Sequence, residues 1–531
     1  MGRFLILSEA GNAAGLSIRL ETEGHEPQVW IRALDADDLG KNIIKRAKEW
    51  RQAQTIIADV NNFGPLLDIF RDNGLHVFGG SCFADKLECD RQYAEEVMQE
   101  VGIDVPKSVR ANSWEEASKA VDKLGNADGK VVIKPEGDLS GVVPSVCAKS
   151  LEDAHSTLER FEKASSGSEV NVTIQEFIEG LAISTEGFFN GEQWIEGMFN
   201  HTLENKKSLN DDLGHTTGCA GNVVWPTDSK DPLVKQTLTK LTKVLEEHRY
   251  VGPFDINCVV NEDSVYGLEF TPRFGYDAFP TLLYTLFDDD FGAFVDAACM
   301  GSGLDGHLRG GFGVGLRLIV PPPLSSHVTS DPVFIRGLEK LEDLDHFYPY
   351  DVLFTEAGEL RSGKGHGSLG VLNHHGETIG EAFARLYELV SRIEVPNLQF
   401  RTDLCEVFQK EFRQLQEVMR GEEDEGWIGV DLDATLAEYG GWSDEIGEPI
   451  RKMVERVRRW INEGKEVRIL TARGTVGSMN EKYTQLVKIY DWIKEHIGSP
   501  IEVTCQKDPK MIRLYDDRVV KVEANEGVLA N

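Results

Sequence analysis

Short apolar runs separated by glycine, asparagine and proline set the rhythm of the first part of this chain. Phe4–Leu7, Gln28–Ile31, Thr55–Val60 and Leu75–Gly79 read as strands, with a turn over Gly11–Gly15 and an amphipathic helix over Lys41–Gln52. Strands alternating with helical patterns predict an open, mostly parallel α/β unit over residues 1–86. The loop Gly11–Gly15 lies between strand and helix, where backbone N–H groups can face a phosphate; a plain tight turn fits it equally. Further on, the pattern predicts a helix over Arg91–Val101 and strands over Lys130–Pro135 and Val172–Phe177. Ile183–Phe189 and Trp194–Met198 read as a hairpin around Asn190–Gly191. A helix is expected over Leu233–His248, and Ile256–Val260 pairs with Val265–Phe270 around a polar turn. Gly313–Val320 is β-rich and ends at three prolines; helices follow over Glu381–Ser391 and Cys405–Arg420. There is no internal repeat.

After the charged stretch Gly421–Glu425, the apolar residues Trp427, Ile428 and Val430 lead directly into Asp431 and Asp433. If that run is a strand, its alternation puts both carboxylates on one side at its C-terminal end, where ligands gather in parallel α/β sheets. Two close carboxylates repel unless a cation or a proton lies between them, so the pair predicts a hard divalent cation and phosphate chemistry. Two more strands end in polar residues: Glu466–Leu470 before Thr471, and Ile512–Tyr515 before Asp516 and Asp517.

Composition narrows the function classes. At 531 residues, several domains are expected. A net charge of -33 disfavours binding a phosphate polymer over most of the surface, while leaving room for a local basic pocket. No apolar run is long enough to span a bilayer, the N-terminus lacks the pattern of a secretory signal, and Ile6 stands where myristoylation needs Ser or Thr. The 8 cysteines are scattered, which argues against a zinc site or disulfide framework and for a reducing cytoplasm.

Lys134 ends a strand before a turn, Gln175–Glu176–Phe177 end another, Asn257 sits on one arm of a hairpin, and Glu269, Thr271 and Arg273 sit on or beyond the other arm. A lysine offsets phosphate charge, side-chain oxygens hold Mg²⁺, and an arginine can steady a transferred phosphoryl group. Taken singly, Lys134 is also a solvated strand-end lysine, and Glu269 with Arg273 a surface ion pair. The order of these residues resembles the ATP-grasp ligases, and most of all phosphoribosylamine–glycine ligase. The resemblance covers about residues 1–400 and is carried by Phe70–Arg91, Lys130–Gly137, Val172–Gly180, Leu268–Gly275 and Gly370–Tyr387. It implies that Arg91 and Lys134 contact ATP phosphates and that Gln175, Glu176 and Phe177 line the adenine pocket. It further implies that Glu269 is the principal Mg²⁺ (or Mn²⁺) ligand with Asn257 near the metal, that Arg273 faces an acyl phosphate, and that Lys206–Gly221 is a loop over the acceptor site. The chain departs from that family at several positions. Glu9–Gly15 lacks the Arg-Glu-His phosphate loop, Val60–Gly64 replaces a Gly-Pro-Glu segment, and Asp138–Val142 has fewer glycines than the phosphate lid. Ala182 stands where a ribose-binding glutamate is usual, with Glu186 as a nearby substitute, and Thr271 is a weaker ligand than the usual asparagine.

Residues 426–531 resemble a small phosphohydrolase of the haloacid dehalogenase (HAD) type. The resemblance implies Asp431 as nucleophile, Asp433 as general acid/base, Thr471 as phosphoryl-binding hydroxyl with Arg473 nearby, and Lys507 (or Lys510) as the neutralising cation. Asp516 and Asp517 would complete a Mg²⁺ site with Asp431. Ala434 replaces a usual glycine, and the segment between motifs leaves no room for a large cap. The expected architecture is therefore an α/β and α+β multidomain chain: a pre-ATP-grasp domain (1–86), an ATP-grasp domain (87–310), a C-terminal ligase subdomain and helix (311–420), a linker (421–425) and a HAD-like Rossmannoid parallel sheet (426–531). The expected function is an ATP-dependent amide-forming ligase fused to a phosphatase, acting on small molecules (an amine, a carboxylic acid, a phosphate ester) with no nucleic acid polymer and no membrane. The alternative is a phosphohydrolase whose ATP-grasp region binds ligand without ligating. Oligomeric state is not legible.

Overall fold

The computed structural model describes residues 1–9, 12–32, 40–47, 53–136, 143, 145–165, 170–301, 306–321, 332–338, 345–363, 367–420 and 426–521. Arg3–Ser8 (β1), Ala14–Thr22 (α1), Glu26–Ile31 (β2), Thr55–Ala58 (β3), Gly64–Asp72 (α2) and His76–Phe78 (β4) build a parallel sheet in the order β2-β1-β3-β4. Alternation divides β1 between two cores. Phe4 and Ile6 pack with Leu16 and Leu20 of α1, whereas Leu5 and Leu7 pack with Leu67 and Phe70 of α2. Because β2 and β3 flank β1 on opposite sides, the crevice at the C-terminal ends of β1 and β3 is a topological switch point. There the Ser8 hydroxyl donates to Asp59.

Cys82–Cys89 (α3) and Arg91–Glu100 (α4) follow, capped by the Ser81 and Asp90 side chains. Ser108–Ala111 (β5), Trp114–Leu124 (α5), Val131–Pro135 (β6), Val146–Ala148 (β7), Leu151–Ser165 (α6) and Val172–Glu176 (β8) form an antiparallel sheet in the order β5-β8-β6-β7. Val131, Ile133, Val172 and Ile174 close the core under α5 and α6. Lys134 stands opposite Thr173 and Val132 opposite Gln175, so Lys134 and Gln175 share the other face of the sheet.

Leu181–Asn190 (β9), Phe199–Leu209 (β10), Leu213–Thr227 (β11), Pro232–Gln236 (α7), Leu238–Glu247 (α8), Val251–Val260 (β12), Val265–Thr271 (β13), Ala278–Thr285 (α9), Phe291–Cys299 (α10), Phe312–Ile319 (β14), Phe347–Pro349 (β15), Val352–Phe354 (β16), Leu360–Ser362 (β17) and Ser368–Gly376 (β18) come next. All but β16 and β17 among these strands join one eight-stranded sheet, β13-β12-β9-β10-β11-β14-β18-β15. Ile183, Leu203, Val223, Phe254, Ile256, Phe270 and Leu316 face the main core. The alternate positions Ser184, Glu186, Asn200, Asp255, Asn257, Glu269 and Thr271 form a polar strip on the opposite face, fixed by the cross-strand register. α9 lies so close to β14 that a Cβ on Gly315 would overlap Thr281 and Asn222. Gly315→Val is expected to destabilise the protein by about 1–3 kcal/mol, read as a lower denaturant midpoint.

Ile379–Val390 (α11) and Leu404–Arg420 (α12) lead into Trp427–Asp431 (β19), Arg451–Asn462 (α13), Glu466–Leu470 (β20), Met479–His496 (α14), Glu502–Thr504 (β21) and Met511–Tyr515 (β22). The last four strands are all parallel, in the order β21-β20-β19-β22. This C-terminal unit docks on α11 and α12. The Tyr387 and Tyr483 rings lie 4.8 Å apart, Arg385 reaches Asp491 at 2.6 Å, and Glu502 accepts from Gly380 N (3.3 Å) and Gln409 Nε2 (2.7 Å).

Several expectations need correction. Residues 41–47 form turns with one Val29–Arg46 bridge, not a helix, and 48–52 lie outside the described residues. So do Gly11, the expected lid Asp138–Val142 and the linker Gly421–Glu425. Trp194–Met198 is not a strand; Trp194 makes a single bridge to Phe189, and the partner of β9 is β10. The helix expected over 233–248 breaks at Thr237, which has φ -124° and ψ -89°. Lys206–Gly221 belongs to the paired strands β10 and β11, which turn at Asn210–Asp212, and is not a free loop.

Candidate active sites

The first site is the cleft between the Lys134 face of the smaller antiparallel sheet and the polar strip of the large one. Arg91 Nη1 donates to Pro135 O at 3.1 Å, which holds the guanidinium beside the end of β6. Burial pushes the Lys134 ammonium below its usual value, Glu269 pushes it back up, and the Arg91 charge adds to the fall. Gln175 is buried on the same face. Glu176 is clasped to the neighbouring strand: Lys107 N donates to its Oε1 at 2.8 Å, and Lys107 Nζ lies 3.6 Å from Oε2. The Phe177 ring lies 5.5 Å from the Lys130 ammonium.

Asn257 stands opposite Glu269, and Asp255 opposite Thr271. The Glu269 side chain is exposed to the cleft. Asn257 Oδ1 accepts from Ser184 Oγ at 2.7 Å, and its Nδ2 lies 3.2 Å from Thr271 Oγ1 and 3.4 Å from Asp255 Oδ2. Arg273 does not pair with Glu269. Its Nε and Nη2 grip Glu88 Oε1 at 3.0 and 2.9 Å, and the Tyr276 ring lies 4.1 Å from the guanidinium. Glu186 is buried and accepts from Asn200 Nδ2 at 3.1 Å, and burial pushes its carboxyl up to about 7. It lies four residues along β9 from Ala182, roughly 13 Å at strand spacing. It is therefore not placed to stand in for a ribose-binding glutamate at position 182. An exposed carboxylate, an amide oxygen and a half-buried lysine across one cleft fit Mg²⁺-bound nucleotide phosphates.

The second site is at the C-terminal edge of the parallel sheet. Carboxylate oxygens of Asp431, Asp516 and Asp517 lie within 4.8 Å of one another. Burial pushes Asp431 up to about 7, helped by the charges of Asp516, Asp433 and Asp517. Three oxygen donors drawn together in this way fit a hard divalent cation. Ala434 adopts φ +64°, the left-handed region that favours glycine, which gives the usual glycine there a backbone reason. Thr435 Oγ1 accepts from Asp517 N at 3.1 Å and ties this turn to the end of β22. Thr471 is buried, and its hydroxyl accepts from Arg473 N at 3.2 Å. Arg473, 1% exposed, forks onto Asp433 with Nε–Oδ2 and Nη2–Oδ1 both 2.8 Å.

Neither Lys507 nor Lys510 is the cation in contact with these aspartates. Residues 505–510 cross the sheet face, where Asp508 accepts from Trp427 Nε1 at the start of β19, and Lys510 pairs with Glu417 on α12. Lys507 is exposed and lines a cavity of about 340 Å³ against α11 and α12. The cation in contact with this group is Arg473, through Asp433.

Without metal, Asp431 titrates higher folded than its ordinary 3.8. Its contribution to stability is then complete below about 3.8 and lost as pH rises through about 7. In EDTA, wild type is expected to lose melting temperature relative to Asp431→Asn between pH 4 and 8, and Mg²⁺ to reverse that loss. Thermal scans across this range with and without Mg²⁺ test it.

Residues 89–278 match the family of phosphoribosylglycinamide synthetase ATP-grasp (A) domains. This segment is an ATP-grasp domain. Phosphoribosylamine–glycine ligase of Streptococcus pneumoniae is 27% identical over 359 residues, covering 64% of this chain and 80% of the relative. The enzyme of that name from Halalkalibacterium halodurans is 24% identical over 375 residues, covering 68% and 84%. Among solved structures, phosphoribosylamine–glycine ligase from Thermotoga maritima superposes with a TM-score of 0.57 at 19% identity, covering 76% of this chain and 99% of that one. The biotin carboxylase domain of Hydrogenobacter thermophilus 2-oxoglutarate carboxylase gives 0.53 at 12% identity, covering 80% and 100%. Over the matched residues the chain is thus similar to phosphoribosylamine–glycine ligases. The Asp431 cluster lies outside the matched segment. Among the described residues, no helix is long and apolar enough to cross a membrane.

Within the ATP-grasp cleft the structure brings Lys134, Arg91, Glu269 and Asn257 together. Sequence reasoning missed Glu88, Glu204 and Asp255. Glu88 is 185 residues from Arg273 in sequence. Asp255 could have been found, since it shares the strand parity of Asn257.

Proposed function

We propose that this chain is a two-site enzyme: an ATP-dependent carboxylate–amine ligase joined to a Mg²⁺-dependent phosphohydrolase. The ligase reading is carried by the meeting of Lys134 and Glu269 across the cleft. In this reading Lys134 and Arg91 hold the nucleotide phosphates, Gln175 and Phe177 border the base, and Glu269 with Asn257 would hold Mg²⁺, which offsets phosphate charge. A substrate carboxylate oxygen attacks the γ-phosphorus and ADP leaves. The amine nitrogen then attacks the acyl carbonyl, phosphate departs and the amine proton is lost to give the amide. Arg273, held by Glu88, presents positive charge to the oxygens of the acyl phosphate. The retained lysine, glutamate and arginine favour this reading over a ligand-binding region without ligation.

The phosphohydrolase reading is carried by the convergence of Asp431, Asp516 and Asp517. Asp431 attacks phosphorus to form an aspartyl-phosphate, and water then cleaves it. Asp433 carries protons between leaving oxygen, water and solvent; one oxygen must first come free of the Arg473 fork. Thr471 binds the phosphoryl oxygens, and Arg473 holds Asp433 beside them. The test separates the two sites: ADP formation with Mg²⁺-ATP, an acid panel and hydroxylamine, and phosphate release from phosphate esters in the same preparation. Absence of hydroxamate with every acid refutes the ligase, and absence of Mg²⁺-dependent ester cleavage refutes the phosphohydrolase.

A further inference from the structure

The polar strip of the large sheet continues past the metal-binding row. Glu269, Asn257 and Ser184 lie side by side in one row, and Thr271, Asp255, Glu186 and Asn200 form the next, about 7 Å further along the strands. Lys134 interacts with Glu269 in the first row. Asp255 in the second feels the charges of Glu186, Glu204 and Arg273 first, and that of Glu269 after them. Antiparallel neighbours directly opposite each other hold their Cβ atoms roughly 5 Å apart, so the Asp255 and Glu186 carboxylates face a common space. Asp255 is 8% exposed and Glu186 4%.

What these groups lack is specific. Asp255 Oδ1 and Glu186 Oε1 are buried without a hydrogen-bond partner, as are Asn200 Oδ1 and Glu88 Oε2 nearby. All four are oxygens, and as placed they are acceptors. An unpaired buried carboxylate oxygen is costly, and a cationic group with several N–H donors removes that cost. We infer that Glu186 and Asp255 form a subsite for the ammonium group of a substrate, with Glu204 adding negative charge from further along β10. The inference deepens the ligase reading and rests on it for the placement of the reacting carboxylate. The same wall repels a phosphate: Glu88, Glu204 and Asp255 act on Arg273, whose guanidinium already grips Glu88. A phosphorylated amine, the acceptor in the names of the relatives, is therefore the wrong charge for this subsite. The ammonium belongs either to the amine acceptor or to an amino-acid donor whose carboxylate faces Arg273.

Calorimetric titration of the full chain in saturating Mg²⁺ and a non-hydrolysable ATP analogue tests this with four small probes: ethanolamine, phosphoethanolamine, glycine and acetate. Ethanolamine or glycine is expected to bind, and phosphoethanolamine at least tenfold more weakly than ethanolamine. Ethanolamine binding assigns the ammonium to the acceptor, and glycine binding without ethanolamine assigns it to the donor. Glu186→Gln and Asp255→Asn should each weaken the ammonium probe at least tenfold while changing affinity for the ATP analogue less than twofold, which also verifies folding. Glu204→Gln, at a more open position, gives a second check if either buried variant misfolds. The inference is overturned if neither ammonium probe binds wild type, if the variants bind it normally, if acetate matches glycine, or if phosphoethanolamine binds best. It is equally overturned if the variants lose a bound Mn²⁺ by electron paramagnetic resonance and keep the ammonium probe. Hydroxylamine trapping is independent of this subsite. Ammonium binding without hydroxamate would sink the ligase reading alone, and hydroxamate without ammonium binding would sink the subsite alone.

Discussion

Asp431→Asn is expected to abolish release of phosphate from phosphate esters, with kcat falling by at least about 10⁴-fold. The amide keeps the size of the side chain and removes the nucleophile. It also removes one of three converging carboxylates, so Mg²⁺ affinity should fall with it. A Mg²⁺ titration of both proteins at saturating ester separates the effects, because a ligand defect is overcome by excess metal and a missing nucleophile is not. ADP formation at the other site should be unchanged. Wild-type ester turnover in Asp431→Asn would remove this residue from the chemistry.

The second large effect is expected at Lys134. Lys134→Ala removes a half-buried ammonium that shares the cleft with Glu269 and Arg91. Positive charge partly screened from water acts on developing phosphate charge more strongly than in solvent. ATP-dependent hydroxamate formation should fall on the order of 10²–10³-fold, with Lys134→Arg recovering little because guanidinium geometry differs. Ester cleavage by the Asp431 site should persist. Equal loss of both activities would point to a folding defect, which circular dichroism would reveal; unchanged hydroxamate formation would refute the role of Lys134.

Much of this was legible in the sequence because it rests on strand parity. Asp431 at the end of an apolar run, and Lys134 and Gln175 at strand ends, follow from alternation alone. Lys507 was misplaced for a physical reason. The segment after β21 contains no helix and runs straight across the sheet to β22, so a lysine near the strand end in sequence is carried away from it in space. The resemblance implies that Lys206–Gly221 is a loop over the acceptor site, yet each arm finds a long neighbouring strand and pairs with it through register shifts. The Arg273–Glu88 clasp and the Asp255–Glu186 pair depend on contacts between distant segments, which no local pattern encodes.

The docking of the C-terminal unit on α11 and α12 has its own consequence. Glu502, on a strand of the C-terminal unit, takes hydrogen bonds from Gly380 and Gln409, which stand on the other side of the 421–425 segment. Separating the two units would strip that carboxylate of two donors and uncover Tyr387 and Tyr483 together. The two units are not beads on a string but halves of a shared wall, so a substitution in that wall weakens both. Removing either half leaves the other with an apolar face and an unmet carboxylate open to solvent.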